Sequence, residues 1–259
     1  MKPASEIRFG IEVECYLPCG TRSAATHVGA GLQINWAPRG WGGKRDGSLV
    51  SYYAGYTPVE VVSPILAGED GLTQVYAVIS LIHEMHGIVD DTCGLHVHVD
   101  ATGMSREQVE AVRASFVTYE KAFFGLNGAK AKARWYGHYC VNSNLWAGDG
   151  YQTRYQSLNL TNVGNPSKNT IEFRLWSGTL DVAIVVAAVS MAVALVARVM
   201  DGKGESGAQI QSCEDATKAF YGSHLYRHTA YRIVPDVTIS DVISFMLAAA
   251  HEADQAFRE

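Results

Sequence analysis

The chain has no block of basic residues: 21 Lys and Arg stand against 26 Asp and Glu, for a net charge of -5 over 259 residues. The phosphate-neutralising surface of a nucleic-acid binder is therefore missing, and nucleic acid is not expected as a partner. The five cysteines (Cys15, Cys19, Cys93, Cys140, Cys213) are odd in number and include no C-x-x-C pair, which argues against a structural zinc site and for reduced thiols in a cytoplasm. The opening MKPASEIRFG lacks the apolar run of a signal peptide, so export is not expected. No serine sits in a G-x-S-x-G elbow, and no cysteine has the local sequence of a known nucleophile. Covalent catalysis is thus left without a candidate.

Long apolar runs are also scarce. VAIVVAAVSMAVALVA, Val182 to Ala197, is closed by Asp181 and Arg198, short of the about 20 residues that a membrane span needs. It reads as a buried Ala/Val helix, and no membrane is expected. No repeat, low-complexity tract or linker divides the chain, and 47% apolar residues can fill a sizeable core. One domain over residues 1–259 is the expectation.

Period-two patterns appear around residues 7–16, 57–66, 94–100, 155–162 and 169–176, interspersed with helical patterns. One helix is expected over Asp70–His86. A second starts at Ser105, where Ser105 and Gln108 fit a capping box, and runs to about Phe124. A third follows Asp181 and a fourth follows Ser240, both behind plausible N-caps. Residues 20–48 and 125–150 read as long loops rich in Gly, Asn and aromatics, the kind that commonly carry binding work.

Alternate residues of a strand share a face. In FGIEVECYLP, Phe9, Ile11, Val13 and Cys15 form one apolar face, and Glu12 and Glu14 point the other way. Glu60 stands between Val59 and Val61. His96, His98 and Asp100 oppose Leu95, Val97 and Val99. Glu172 and Arg174 oppose Ile171, Phe173 and Leu175, and Ser157, Asn159 and Thr161 oppose Leu158 and Leu160. An antiparallel sheet with helices over its apolar face would gather carboxylates, two histidines and an arginine on the other. Each pair alone is compatible with a wet outer face. The combination of several Glu with a histidine is the ligand set of a hard divalent cation, which would remove the repulsion among them. Arg174 and Arg154 are candidate anion clamps beside it. Because Mg²⁺ usually completes its shell with water and nucleotide phosphate, ATP chemistry is the natural inference.

Other motifs fall short. HEMH, His83 to His86, has its histidines three apart, whereas the zinc-protease helix needs four. GWGGKRDGS lacks P-loop spacing, with Pro38 and Arg45 at two required positions, although Lys44 and Arg45 could still touch an anion. The H-x-H of GLHVHVD suits zinc or iron, but no second histidine cluster supports it.

FGIEVE, DGSL, VEVVSPIL, CGLHVHVD, RYQSLNL and TIEFRLWSGTLD, in that order, resemble the amidoligase family of the glutamine synthetase and glutamate–cysteine ligase superfamily, over roughly residues 7 to 200. The resemblance implies an α+β fold in which a curved antiparallel sheet binds ATP and two or more Mg²⁺ (or Mn²⁺) on its concave face, with helices packed outside. It implies a ligase that converts a carboxylate to an acyl phosphate, which an amine then displaces to leave an amide. By the same matching Glu12, Glu14, Glu60, His96 and Glu172 would hold metal. His98 would lie near the phosphates, and Arg174 and Arg154 would steady the transferring phosphoryl group. Asp46 and Ser48, in DGS, would line the substrate end, Ser48 toward the cofactor and Asp46 as acceptor of the amine's proton. Arg134 falls where related sequences often carry an arginine. Residues 201–259 read as a helical extension outside the resemblance.

The aromatics of the long loops, Trp36, Trp41, Trp135, Tyr136 and Trp146, fit either a water-excluding lid or simple packing anchors. Substrates would be small-molecule or peptide carboxylates and amines, and a homo-oligomer is compatible with the chain. Two other readings stay open: a histidine-ligated zinc or iron hydrolase or oxygenase, and a catalytically silent binding module. Retention of Glu12, Glu14, Glu60, His96, Glu172 and Arg174 argues against the second.

Overall fold

The computed structural model describes residues 6–19, 25–28, 31–34, 36–44, 49, 53–145, 153–222 and 239–259. Asp46, Ser48 and Trp146 lie outside the described residues. Among the described residues, nine strands form one antiparallel sheet: β1 (Arg8–Pro18), β2 (Ala25–Val28), β3 (Gly31–Ile34), β4 (Gly42–Lys44), β5 (Tyr56–Val62), β6 (Leu66–Ala67), β7 (Gly94–Asp100), β8 (Leu158–Asn159) and β9 (Thr170–Ser177). Their order is β2-β3-β4-β5-β1-β7-β9-β8, with β6 pairing the start of β1 beside β5. Helices α1 (Gly68–Glu84), α2 (Arg106–Gly125), α3 (Ala131–Trp135), α4 (Val182–Met200), α5 (Cys213–Gly222) and α6 (Ile239–Arg258) complete the fold.

The apolar faces read from alternation are the core. Phe9, Ile11, Val13, Leu95, Val97, Val99, Ile171, Phe173 and Leu175 are buried in one cluster with residues of α1, α2 and α4. Phe123 of α2 stacks on Phe173, with ring centroids 5.6 Å apart, and Trp176 donates its indole N–H to the Phe123 carbonyl at 3.0 Å. Such ring pairs add about 0.5–1.5 kcal/mol beyond their buried area. The expected strand over 155–162 is reduced to Leu158–Asn159, and the one over 57–66 is interrupted after Val62. β2, β3 and β4 are instead found inside the expected 20–48 loop.

The capping box is present: Ser105 accepts from the Gln108 N–H, and Gln108 accepts from the Ser105 N–H. Asp181 caps α4 through the Ala183 N–H at 2.8 Å. α6 begins at Ile239, so Ser240 lies inside the helix and not at its cap. α4 continues past the apolar run through Arg198 to 19 residues, a helix long and apolar enough to span a membrane on those grounds alone. Length does not exclude a span, then. Burial supports the core-helix reading: 67% of its apolar window is buried, against α1, α2 and the sheet. The 201–259 segment is no loose appendage, since α5 and α6 pack on α2 and Phe220 and Met246 join the main core.

Three of the expected lid aromatics are packing anchors: Trp41 and Trp135 are buried in the core, and Trp36 packs against it. The five cysteines are free, four of them buried. Burial pushes the Cys93 and Cys213 thiols up to about 12, which removes them as nucleophiles near neutral pH.

HEMH closes α1. Gly87 N–H donates to Ile82 O at 2.8 Å and His86 N–H to His83 O at 2.9 Å, the paired bonds of a Schellman motif. His86 holds its left-handed position with φ 59, so it serves a helix end and not a metal. Replacing it by glycine, His86→Gly, is expected to stabilise the protein by about 0.5–1 kcal/mol, read as a raised urea midpoint at unchanged slope.

Glu120 was not a sequence candidate, yet it is fully buried and ties the segments of Ser143 and Ser157 to α2. Its carboxyl accepts from Ser143 N–H at 2.9 Å, Ser157 Oγ at 2.9 Å and Gln209 Nε2 at 2.8 Å, and from the Ser143 hydroxyl. Burial pushes it up to about 7, against the pull of the Ser143 and Ser157 donors. Between about pH 4.5 and 7 the native carboxyl keeps a proton that the unfolded one has lost, so stability from this group is highest in acid and declines as pH rises. Relative to Glu120→Gln, the wild type is expected to lose up to about 3 kcal/mol of unfolding free energy between pH 4.5 and 8. Urea titrations of both proteins across that range measure the difference, and parallel curves would contradict it.

Candidate active site

Strand register brings the sequence candidates together. Glu12 of β1 faces His96 of β7, Glu14 faces Glu60 of β5, and His98 faces Glu172 of β9. Asn159 of β8 faces Glu172 from the other side, and Lys44 of β4 faces Glu60. Each strand sends alternate residues to the face away from the helices, so adjacent rungs deliver them as one cluster. Glu12, Glu14, Glu60, His96, Glu172, Arg174 and Arg154 line a single cleft of about 560 Å³. This is no wet outer face: Glu12, Glu14, His96, His98 and Glu172 are all buried.

A bulge shapes the β9 side. Leu95 pairs with Trp176 and Val97 with Phe173, so β9 carries one extra residue between them. Trp176 thereby turns to the core beside Leu175, and Arg174 stays on the cleft side. Arg134 of α3 clamps this bulge, donating to the carbonyls of Arg174 (3.0 Å), Leu175 (3.3 Å) and Trp176 (2.9 Å). Asn127 adds a bond to Leu175 O at 3.1 Å and accepts from Ser177 N–H at 2.8 Å. The arginine after the second helix is thus a brace for the strand.

Cations compensate the carboxylates. Arg174 Nη1 is 2.5 Å from Glu172 Oε1, and Asn159 donates to Glu172 Oε2 at 2.6 Å. Lys168 donates to Glu12 Oε1 at 3.1 Å, and Lys44 to Glu60 Oε1 at 3.2 Å. Lys44, expected at an anion or in water, therefore serves a carboxylate. Glu14 accepts the Gly94 N–H at 2.6 Å. Burial pushes Glu12 up, but His96, His98 and Lys168 outweigh it and hold the carboxyl far below the usual range. Glu172 is likewise raised by burial and brought below its ordinary value by His98, Arg174 and His96. Burial drives His96 down.

Three observations bear on a metal. Single ligand atoms of Glu12, His98 and Glu172 lie within 4.8 Å of one another. His96 Nδ1 and His98 Nε2 are buried without a hydrogen-bond partner among the described residues, although His98 Nε2 is only 3.3 Å from Glu12 Oε1. At Gly94, an added Cβ would come within 2.9 Å of His96 Nε2 and 3.2 Å of Glu14 Oε2, so glycine leaves that side of the cluster open. Carboxylates with buried imidazole nitrogens lacking partners fit a divalent cation. The tightest group contains His98, not the His96 expected as the metal-side histidine; His96 Nδ1 is 3.6 Å from Glu12 Oε2. Arg154 lines the cleft with its guanidinium 5.1 Å from the Tyr155 ring, and Tyr155 meets Tyr139 edge-on at 6.0 Å. Sequence patterns offered no signal for Lys168, Tyr139 or Tyr155.

Residues 20–144, just under half of the chain, match the family model described as "Putative amidoligase enzyme". That window holds Glu60, His96 and His98, while Glu12, Glu14, Arg154, Glu172 and Arg174 fall outside it. No curated protein matches the chain. Among solved structures, the chain resembles one titled as the complex between prokaryotic ubiquitin-like protein Pup and its ligase PafA, at TM-score 0.57 and 8% identity. The match covers 98% of this chain and 64% of that one, so the chain spans somewhat under two thirds of its neighbour. A structure titled GmaS/ADP complex is similar at TM-score 0.46 and 12% identity, over 97% of this chain and 68% of that one. The PafA match shows a shared fold: an open antiparallel sheet with helices. The resemblance to the amidoligase family is supported by the family model over residues 20–144, a window that holds three of the six ordered motifs, DGSL, VEVVSPIL and CGLHVHVD.

Proposed function

We propose that the chain is an ATP- and Mg²⁺-dependent carboxylate–amine ligase and that residues 1–259 act as a single catalytic unit. The observation that carries this reading is the convergence of Glu12, Glu14, Glu60, His96 and Glu172 with Arg174 and Arg154 in one cleft, with His98 packed beside Glu12 and Glu172. With Asp91 included, five acidic side chains line it against five basic ones: Lys44, Arg134, Arg154, Lys168 and Arg174. A cleft already balanced in charge accepts divalent ions most readily together with a polyanion, and Mg²⁺ with nucleotide triphosphate is such a pair.

In the proposed reaction the γ-phosphoryl group of ATP moves to a carboxylate oxygen of one substrate, giving an acyl phosphate and ADP. The amine nitrogen of the second substrate then attacks the acyl carbon, phosphate leaves, and the amine's proton passes to a base. Bound Mg²⁺ supplies neutralisation of the phosphate oxygens. Glu12, Glu14, Glu60 and Glu172 are the proposed carboxylate ligands; the tight grouping of Glu12 and Glu172 with His98 supports His98 for the imidazole position, beside the His96 that the resemblance implies. Arg174, rigid on its braced bulge, and Arg154 are assigned to the transferring phosphoryl group. Asp46 is the proposed proton acceptor, with Ser48 toward the nucleotide. Substrates fall in the class of small-molecule or peptide carboxylates and amines; the ligase named in the PafA structure acts with a protein, Pup. A donor group rich in carboxylate, with one imidazole in its tightest cluster, is a poor match to the zinc or iron hydrolase that H-x-H alone would suggest.

The test is ADP release in the presence of Mg²⁺ and pooled amino acids, polyamines and peptides. Turnover should require both a carboxylate and an amine, and Glu12→Gln or Glu172→Gln should lower it by about 100-fold or more. Failure of Mg²⁺ and nucleotide to bind, with no stimulation by any pair, overturns the reading. At Gly94, an alanine side chain would press on His96 Nε2 and Glu14 Oε2. Gly94→Ala is therefore expected to weaken Mg²⁺ binding about tenfold with unchanged circular dichroism, as measured by titration calorimetry.

A further inference from the structure

Lys168 and Arg174 both pair with carboxylates of the cluster, but they are held differently. Arg174 is 13% exposed at its side chain, its Nε is buried, and Arg134 and Asn127 fix the bulge that carries it. Lys168 is 43% exposed and enters from the rim of the cleft. Its backbone is pinned next to the start of β9: Lys168 O accepts Thr170 N–H at 3.1 Å, and Asn169 O accepts Ala101 N–H at 3.0 Å. Only the four-carbon stem is left to move, and a lysine stem leaves an ion pair for water at small cost.

The ammonium lies at the most contested oxygen of the site. Glu12 Oε1 takes Lys168 Nζ at 3.1 Å, stands 3.3 Å from His98 Nε2, and is 3.8 Å from Lys44 Nζ. Glu12 also belongs to the group, with His98 and Glu172, whose ligand atoms could share one ion. A divalent cation on that oxygen and an ammonium in direct contact with it repel each other strongly.

Building on the metal site proposed above, we propose that Lys168 is a resident counter-cation. Its ammonium holds Glu12 in the metal-free protein and is expelled when the ion binds, so that it competes with the metal for one carboxylate. The bond that breaks is Nζ–H···Oε1 of Glu12, and the ammonium passes to water with its proton retained. Arg174 stays with Glu172 as the fixed cation of the cleft. The competition weakens metal binding in the absence of nucleotide and keeps the buried carboxylates compensated while the site waits.

The experiment counts bound Mn²⁺ by electron paramagnetic resonance, without nucleotide, in the wild type, Lys168→Met, Lys168→Arg and Glu12→Gln, with circular dichroism as a check on folding. Lys168→Met should bind Mn²⁺ about tenfold tighter than wild type. Its metal-free melting temperature should be lower and its rise on adding Mn²⁺ larger, a pair of signs that a merely structural lysine would not give. Lys168→Arg should bind as weakly as wild type. Equal or weaker binding by Lys168→Met, in a protein whose wild type binds Mn²⁺ at a site lost in Glu12→Gln, overturns the competition and leaves the ligase reading standing. No Mn²⁺ binding by either wild type or Lys168→Met removes the metal site and this inference with it.

Discussion

Mutual repulsion of buried carboxylates is the constraint on which this structure turns. Two unit charges about 4 Å apart at a protein-like effective dielectric repel by roughly 4 kcal/mol, and Glu12, Glu14 and Glu172 are all buried. Each has a compensating partner: Lys168 for Glu12, the Gly94 N–H for Glu14, and Arg174 with Asn159 for Glu172. A purely structural sheet face gains nothing from such an arrangement, because apolar residues of the same volume are often as stable or more so. The cost is understandable where the charges serve a ligand.

Alternation explains why so much of the cluster was legible. Period two is a local property, so the sorting of Glu12, Glu14, Glu60, His96, His98, Glu172 and Arg174 to one side needs no knowledge of partners. Helix signals were equally local, and the capping box at Ser105 and the N-cap at Asp181 stand where the residues predicted them. Register is not local. That Glu12 faces His96 and His98 faces Glu172 depends on strands far apart in sequence. The β9 bulge is set by Arg134 and Asn127 from beyond α2, and nothing within TIEFRLW announces it. Short elements were lost for a related reason. β4 is three residues in a Gly-rich stretch, and the start of α5, within a segment read only as a helical extension, is set by the distant Asp254, which accepts from the Cys213 and Glu214 N–H groups.

Lysine was the residue type for which the sequence carried the least signal. Lys44 and Lys168 sit in or beside loops, where solvation is the ordinary fate of an ammonium. Both reach carboxylates in the cleft because neighbouring strands place their backbones at its edge. The arginines illustrate the contrast between the two cations. Arg134 uses its planar fork to hold three carbonyls of one bulge, and Arg174 pairs closely with Glu172 from that fixed base. The cleft therefore combines cations set in a rigid frame with cations on flexible stems, and only the flexible ones can yield to an incoming ion without disturbing the sheet.

The segment 201–259 ties into the same frame. Its α5 and α6 pack on α2, and α2 carries Glu120. Through that carboxyl, Gln209 is joined to Ser143 and Ser157, which flank the segments bearing Tyr139, Arg154 and Tyr155 at the cleft. Ser157 O in turn accepts the Arg174 N–H at 2.9 Å, on the bulge itself. A segment in which no motif could be read thus braces the wall of the cleft from behind. The carboxylates, by contrast, are fixed by strand register. The carboxylate cluster and the rim residues are therefore carried by different elements, the first by β1, β5, β7 and β9 and the second by the loops that Glu120 holds to α2.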